Sequence, residues 1–166
     1  LIPKIIDRYD LTSDSAVLDL GSKKGFFVKD MKECLPGVTV RGIESHPYPI
    51  ETGLDEVRPD IVMAPYTELP FPDDSFDFVL GFSTVYMLNI GDVIKCLKEI
   101  QRVGRGKSYI TVAGYRTAEE RDLFMSWTLI GSTVLHEDDW LELFDTVGYT
   151  GDHFFTGARS LNLQWE

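Results

Sequence analysis

The stretch "VLDLGSKKGFF", Val17 to Phe27, begins as a β-prone apolar segment broken only by Asp19. It then passes through a turn bearing two glycines and continues into an amphipathic segment. A strand, glycine turn and helix in succession is where open α/β sheets hold nucleotides. Gly21 is placed to take a positive φ, and Gly25 to let the following helix start close beneath a ligand. Backbone N–H groups at such a turn, with the helix N-terminus behind them, suit an anionic or strongly polar group. Glu44 follows 19 residues after Gly25, at the end of "VTVRGIES", where a carboxylate can accept both hydroxyls of a ribose. A GxGxxG dinucleotide fingerprint would need glycine at positions 23 and 26, which hold Lys23 and Phe26.

Working outward, apolar β-rich runs alternate with amphipathic ones. The helices predicted are Ile2–Tyr9, Phe26–Leu35, Asp92–Val103, Ala118–Ile130 and Glu137–Val147. The strands predicted are Ala16–Leu20, Thr39–Ile43, Ile61–Met63, Phe76–Gly81, Ser108–Ala113, Asp152–Thr156 and Ser160–Trp165. This alternation implies an α/β fold: a Rossmann-like, doubly wound, seven-stranded sheet, mostly parallel, with helices on both faces. The last two strand candidates have no helix between them, so an antiparallel C-terminal hairpin strand is expected at one edge. "LPG" at Leu35–Gly37 ends one helix, Gly91 precedes Asp92 as an N-cap, and Gly148 ends the last helix. Trp127, Trp140 and Phe144 are spaced like buried helix faces.

With no internal repeat, linker or low-complexity tract, residues 1–166 are expected to form a single domain. The chain carries 16 Lys+Arg against 27 Asp+Glu, a net charge of −11, so its field repels nucleic acid and anionic membranes. Its two cysteines and three histidines form no CxxC pair or ligand cluster, so no metal site is expected. A reducing, cytoplasmic setting is the expectation, since no membrane segment or signal peptide is visible.

The chain resembles the class I S-adenosylmethionine (SAM)-dependent methyltransferases, in particular the methyltransferase type 11 group. The resemblance runs through "VLDLGSKKG" at 17–25, "VRGIES" at 40–45, "ELPFPDDSFDFVLGFSTVYML" at 68–88 and "LKEIQRVGRGKSYI" at 97–110. It implies SAM as the methyl donor. Asp19, Gly21, Ser22 and Gly25 would hold its methionine end, and Glu44 the ribose, with Ser45 and His46 beside the adenosine. The backbone amide of Tyr66 would meet the adenine, and Gly81, Phe82 and Ser83 would form the floor beneath the sulfonium. The chain departs from the family pattern at Lys23, which replaces a glycine, at Pro65, which replaces an acid, and at Tyr86, which stands where many relatives have histidine.

Tyr86, Tyr115, Arg116 and His136 follow strands four and five or precede the last helix. Strand carboxyl ends are where open sheets place ligands, so these four are the candidate base or acceptor-orienting residues. For His136 a role in starting the last helix competes with chemistry. For Arg116 a pairing with Glu119 or Glu120 does so. The activity implied is methyl transfer to a small-molecule acceptor, such as the hydroxyl or amine of a sugar or secondary metabolite. The alternative is a catalytically inactive methyltransferase-like binding or partner module.

Overall fold

In the computed structural model, which describes residues 1–165, the glycine turn joins the central strand of a sheet to a helix. Six helices are formed: α1 (Ile2–Tyr9), α2 (Phe26–Cys34), α3 (Pro47–Glu51), α4 (Ile90–Val103), α5 (Ala118–Trp127) and α6 (Glu137–Val147). The strands are β1 (Ala16–Leu20), β2 (Thr39–Glu44), β3 (Ile61–Met63), β4 (Phe78–Gly81), β5 (Ser108–Tyr115), β6 (Val134–His136) and β7 (Asp152–Thr156). All are joined in one sheet of order β3-β2-β1-β4-β5-β6, with β7 also paired to β5.

The registers place the last two strands. Ala113 of β5 pairs with both Val134 of β6 and Thr156 of β7. One residue has one partner on each side, so β6 and β7 flank β5 on opposite sides. Tyr109 pairs with both Leu80 of β4 and Asp152 of β7, which puts β4 on the β6 side. Strand β6 therefore continues the line of β4 beyond its carboxyl end, and β7 forms the outer edge.

Side chains alternate across the sheet and divide the core in two. Val17, Val40, Phe78 and Leu80 pack with α1, α2 and the 3₁₀ turn Asp55–Asp60. Leu18, Leu20, Val79, Ile110 and Val112 pack with α4, Phe124 of α5, and α6. The doubly wound expectation holds, with helices on both faces. Trp140, fully buried in α6, donates its indole N–H to the Ala113 carbonyl of β5 at 2.7 Å and fixes the last helix to the sheet.

Local chemistry sets the helix ends. The N-cap of α4 is Asn89, whose side chain accepts from the Asp92 N–H at 3.1 Å. The cap expected at Gly91 thus falls two residues early, because the asparagine side chain accepts from a backbone N–H that glycine, with no side chain, cannot reach. Gly148 ends α6 at φ +74°, as its lack of a β-carbon allows. Helix α5 stops at Trp127, short of Ile130, and Trp127 is half exposed instead of buried. Phe124 is the buried anchor of α5, Leu123 packs half-buried against the same core, and the Trp127 ring lies against Phe124 from outside.

The predicted antiparallel hairpin strand requires correction. Every pairing in the sheet is parallel, β7 with β5 included, and residues 160–165 form no strand. Gly157 donates its N–H to the Ser160 hydroxyl oxygen, which donates back to the Gly157 carbonyl, while Leu161 N–H closes onto Gly157. These short-range bonds fold the segment into turns. Arg159 is held by Glu137 of α6 at 2.6 Å. The seventh strand is instead Val134–His136, too short to show an alternation in sequence.

Replacing Trp140 with Phe leaves the buried Ala113 carbonyl without its donor and opens a small void. The expected cost is about 1–3 kcal/mol. That corresponds to a fall in Tm of about 2–12 °C for a chain of this size. An unchanged melting curve would show that α6 is not fixed through this bond.

Candidate functional site

The glycine turn is closed by its own backbone. Gly21 and Ser22 both donate their N–H groups to the Ile43 carbonyl, at 2.8 and 2.9 Å, and Gly25 donates to Ser22 at 2.8 Å. Gly21 and Gly25 have φ of +82° and +83°. A β-carbon on Gly21 would collide with the Thr84 hydroxyl, and one on Gly25 would lie 2.6 Å from Val57. Both positions therefore require glycine, for conformation and for space.

Lys23 also lies in the left-handed region, at φ +50°, with its side chain exposed. This departure from the family's glycine does not fill the turn. Its N–H donates to Glu44 Oε2 at 3.0 Å.

Glu44, at the end of β2 and 5% exposed, gathers more than that one donor. Its Oε1 accepts from the N–H groups of Ser45 at 2.8 Å and His46 at 3.2 Å, and from the Tyr66 hydroxyl at 2.9 Å. Burial, the largest cause, pushes the Tyr66 phenol up to about 12, so it remains a donor. A carboxylate offers about four lone-pair sites. Oε1 is crowded by three donors, while Oε2 carries only Lys23 and keeps room for one more.

Asp19 pairs in register with Gly42 of β2 and Leu80 of β4, so it stands at the middle of the sheet. It is 5% exposed, and among the described residues no donor meets its carboxylate. Burial pushes its pKa up to about 7; Glu44 adds to the rise and Lys23 opposes it. A nearby positive charge on a ligand would relieve this cost.

Beyond β4 the floor is built from Gly81, Phe82 and Ser83. Ser83 has φ +52° and donates its N–H to the Thr111 hydroxyl of β5 at 2.7 Å. Thr84, almost fully buried, donates its hydroxyl toward the Leu20 carbonyl at 2.9 Å and lies near the Phe82 carbonyl at 3.1 Å. It therefore ties the end of β4 to the end of β1. Non-glycine residues in the left-handed region cost about 1–2 kcal/mol each and often mark functional sites. Lys23 and Ser83 both border this one.

The eleven residues expected around a cofactor thus converge on the carboxyl ends of β1, β2 and β4. Sequence reasoning missed Thr84, and it missed that Tyr66 acts through its phenol. A threonine that follows the strand and faces the turn glycine was the available signal.

The four other candidates separate. Tyr86 is 7% exposed and lines a cavity of about 380 Å³ together with Phe82 and Ser83. Tyr115, Arg116 and His136 cluster apart from it, with the Tyr115 and His136 rings edge to face at 5.6 Å. His136 caps α6 by accepting the Asp138 N–H on Nδ1 at 3.2 Å, which leaves Nε2 to donate to the Arg116 carbonyl at 3.1 Å. The Arg116 guanidinium binds Glu137 at 2.6 Å, not Glu119 or Glu120; its backbone N–H donates to Glu120 at 2.8 Å. Among the described residues no group of His, Cys, Asp and Glu could hold a metal, and no helix is long and apolar enough to cross a membrane.

Two substitutions check these assignments. Lys23→Gly relieves left-handed strain without adding bulk, so stability should rise by up to about 1 kcal/mol with the turn unchanged; a fall of that size would mean the lysine side chain supports the loop. For Asp19, a folded pKa raised above the unfolded value means the folded state binds the proton more tightly. Stability therefore declines as pH rises from about 4 to about 7. Asp19→Asn should remove that decline, so its stability relative to the parent should improve from pH 4 to pH 8 by more than about 1.4 kcal/mol, one pKa unit. Parallel pH profiles in denaturant melts would contradict it.

Comparison with known proteins identifies the family and the fold. A demethylmenaquinone methyltransferase of Lysinibacillus sphaericus is 35% identical over 69 residues, covering 39% of this chain and 28% of that protein. The YcgJ protein of Bacillus subtilis has the same fold, with a TM-score of 0.69 at 17% identity over 88% of this chain and 66% of its own. A SAM-dependent methyltransferase of Aquifex aeolicus gives a TM-score of 0.62 at 18% identity, covering 89% of this chain and 78% of its own. The chain thus spans less than two thirds of the lengths of the first two. The methyltransferase domain family matches residues 18–112, more than half of the chain. The chain therefore belongs to the methyltransferase domain family, in its class I, Rossmann-like form.

Proposed function

We propose that residues 1–166 form a SAM-dependent methyltransferase domain that acts on a small-molecule acceptor. The observation that carries this reading is the convergence of three features at neighbouring strand ends: a turn that tolerates only glycine at two positions, a buried carboxylate without a donor, and a second carboxylate with one open site. They match the three parts of SAM. Asp19 suits the ammonium of the methionine end, beside the turn of Gly21, Ser22 and Gly25. Glu44 Oε2 suits one ribose hydroxyl, with the exposed Ser45 and His46 and the Tyr66 segment on the adenosine side. Gly81, Phe82 and Ser83 lie where the sulfonium would rest.

When bound, SAM supplies an electrophilic methyl whose leaving group is a neutral thioether. An acceptor lone pair would take that methyl as the carbon–sulfur bonding pair stays with sulfur, so the residues here would have to hold the two in line and let the acceptor proton leave to a base or to water. The protein's task is alignment and exclusion of water, and orientation can supply about 7–11 kcal/mol. A general base adds about 10²–10⁴ in rate. Tyr86 is the candidate that faces the cavity next to Phe82 and Ser83. Tyr115, Arg116 and His136 hold the end of β5 against the start of α6, which supports the site from behind.

Calorimetry with SAM and its demethylated product, followed by transfer from methyl-labelled SAM to a panel of small hydroxyl and amine compounds, tests the reading. Micromolar binding and label in a small product are expected; no binding by either ligand would overturn it. Glu44→Gln should weaken binding of the demethylated product by tenfold or more. Tyr66→Phe removes a donor from Oε1 and leaves the open site on Oε2 in place, so it should change affinity by less than the Glu44 variant does. A loss as large as that of Glu44→Gln would mean that the phenol, and not the open Oε2 site, governs binding.

A further inference from the structure

A turn between a strand and a helix can offer its backbone N–H groups to an anion. In this turn nearly all of them are already used. The N–H groups of Gly21 and Ser22 go to the Ile43 carbonyl, that of Lys23 to Glu44, and that of Gly25 to the Ser22 carbonyl. The Ser22 hydroxyl is aimed at Ile43 as well, at 3.4 Å. Among the described residues, Lys24 alone in the turn has an N–H that meets no acceptor. An anion held at this turn therefore needs a side chain to hold it.

Two carboxylates share one face of the sheet here. Asp19 is opposite Gly42 in the parallel register of β1 and β2, and Glu44 lies two residues further along that face. At about 3.3 Å per residue and about 4.8 Å between strands, their α-carbons are about 8 Å apart. Glu44 is met by donors from Lys23, Ser45, His46 and Tyr66, and Asp19 by none among the described residues. Lys23 serves both. Its N–H holds Glu44 Oε2, and its ammonium acts on Asp19 through space, opposing the rise that burial causes. That ammonium is exposed and makes no ion pair or hydrogen bond among the described residues.

An anion and a cation thus stand within each other's field without closing on each other. A buried carboxylate with no donor calls for a cation, and a lysine with no partner can take an anion. An α-amino acid carries both charges on one carbon and meets both demands at once, with its ammonium toward Asp19 and its carboxylate toward Lys23. A simple amine would satisfy Asp19 but be repelled by Lys23. A simple acid would meet Lys23 but face the charge of Asp19 and Glu44.

We infer that Lys23 selects the α-amino-acid end of the ligand, pairing its ammonium with the ligand carboxylate while Asp19 holds the ligand ammonium. The assignment rests on the methyltransferase reading, because the methionine end of SAM carries these two groups. It gives a function to the lysine that stands in place of the family's glycine. The side chain supplies the positive charge that a turn with its N–H groups already spent does not.

The test is calorimetry on the whole chain at about pH 8, where Asp19 is ionised. Two compounds are compared: the demethylated product of SAM, and the same product decarboxylated, which keeps its amine. The parent should bind the intact product at least about tenfold more tightly, the worth of one charge-assisted hydrogen bond. Lys23→Gln, which keeps a side chain in the left-handed turn, should bring this ratio below about threefold, and Lys23→Gly should do the same although it relieves the backbone. Lys23→Arg, which restores the charge, should hold it above about fivefold. Raising salt from about 50 to about 500 mM should shrink the ratio in the parent and not in Lys23→Gln. A tenfold ratio that survives Lys23→Gln would overturn the assignment and give the carboxylate to backbone amides. A ratio lost in Lys23→Gln but kept in Lys23→Gly would overturn it in favour of loop shape. Equal binding of both compounds by the parent would overturn the assignment alone, whereas binding of neither would overturn the methyltransferase reading and the assignment with it.

Discussion

The site depends on the buried carboxylate of Glu44. Through four donors it joins the glycine turn at Lys23, the start of the segment after β2 at Ser45 and His46, and the loop before β4 at Tyr66. Burying an acid this deeply is costly unless its charge is met by hydrogen bonds. Here the donors are three backbone amides and one phenol, so the carboxylate organises main chain from three separate segments. The remaining capacity on Oε2 is where a ligand hydroxyl can complete the set.

A second constraint is close approach. Gly21 packs against Thr84 with no space for a β-carbon, and Thr84 returns a hydrogen bond to Leu20, so the ends of β1 and β4 are drawn together. Ser83 is in turn fixed to Thr111 of β5. The strand ends form a continuous floor because each is bonded sideways to the next. Asp19 is left at its centre without a donor, which suits a cationic ligand better than a neutral one.

The glycine turn and Glu44 were legible in sequence because both are local signals: an apolar strand, a glycine at a sharp reversal, and an acid at the next strand's end. The doubly wound order followed from alternation in the same way. What failed was long range. Arg116 and Arg159 both bind Glu137, from opposite ends of the C-terminal third, and this buried carboxylate draws the last segment inward instead of letting it pair as a strand. Strand β6 has three residues and no periodicity to read. The phenol of Tyr66 reaches Glu44 across 22 positions, and no spacing rule anticipates that bond.

The proposed placement of SAM on the Glu44-tied turn is tested most directly by a crystal structure of the chain with the demethylated product of SAM. The geometry predicts a ribose hydroxyl within hydrogen-bond distance of Glu44 Oε2 and the ammonium group beside Asp19. A ligand bound away from both carboxylates, with the turn of Gly21 to Gly25 empty, would contradict it.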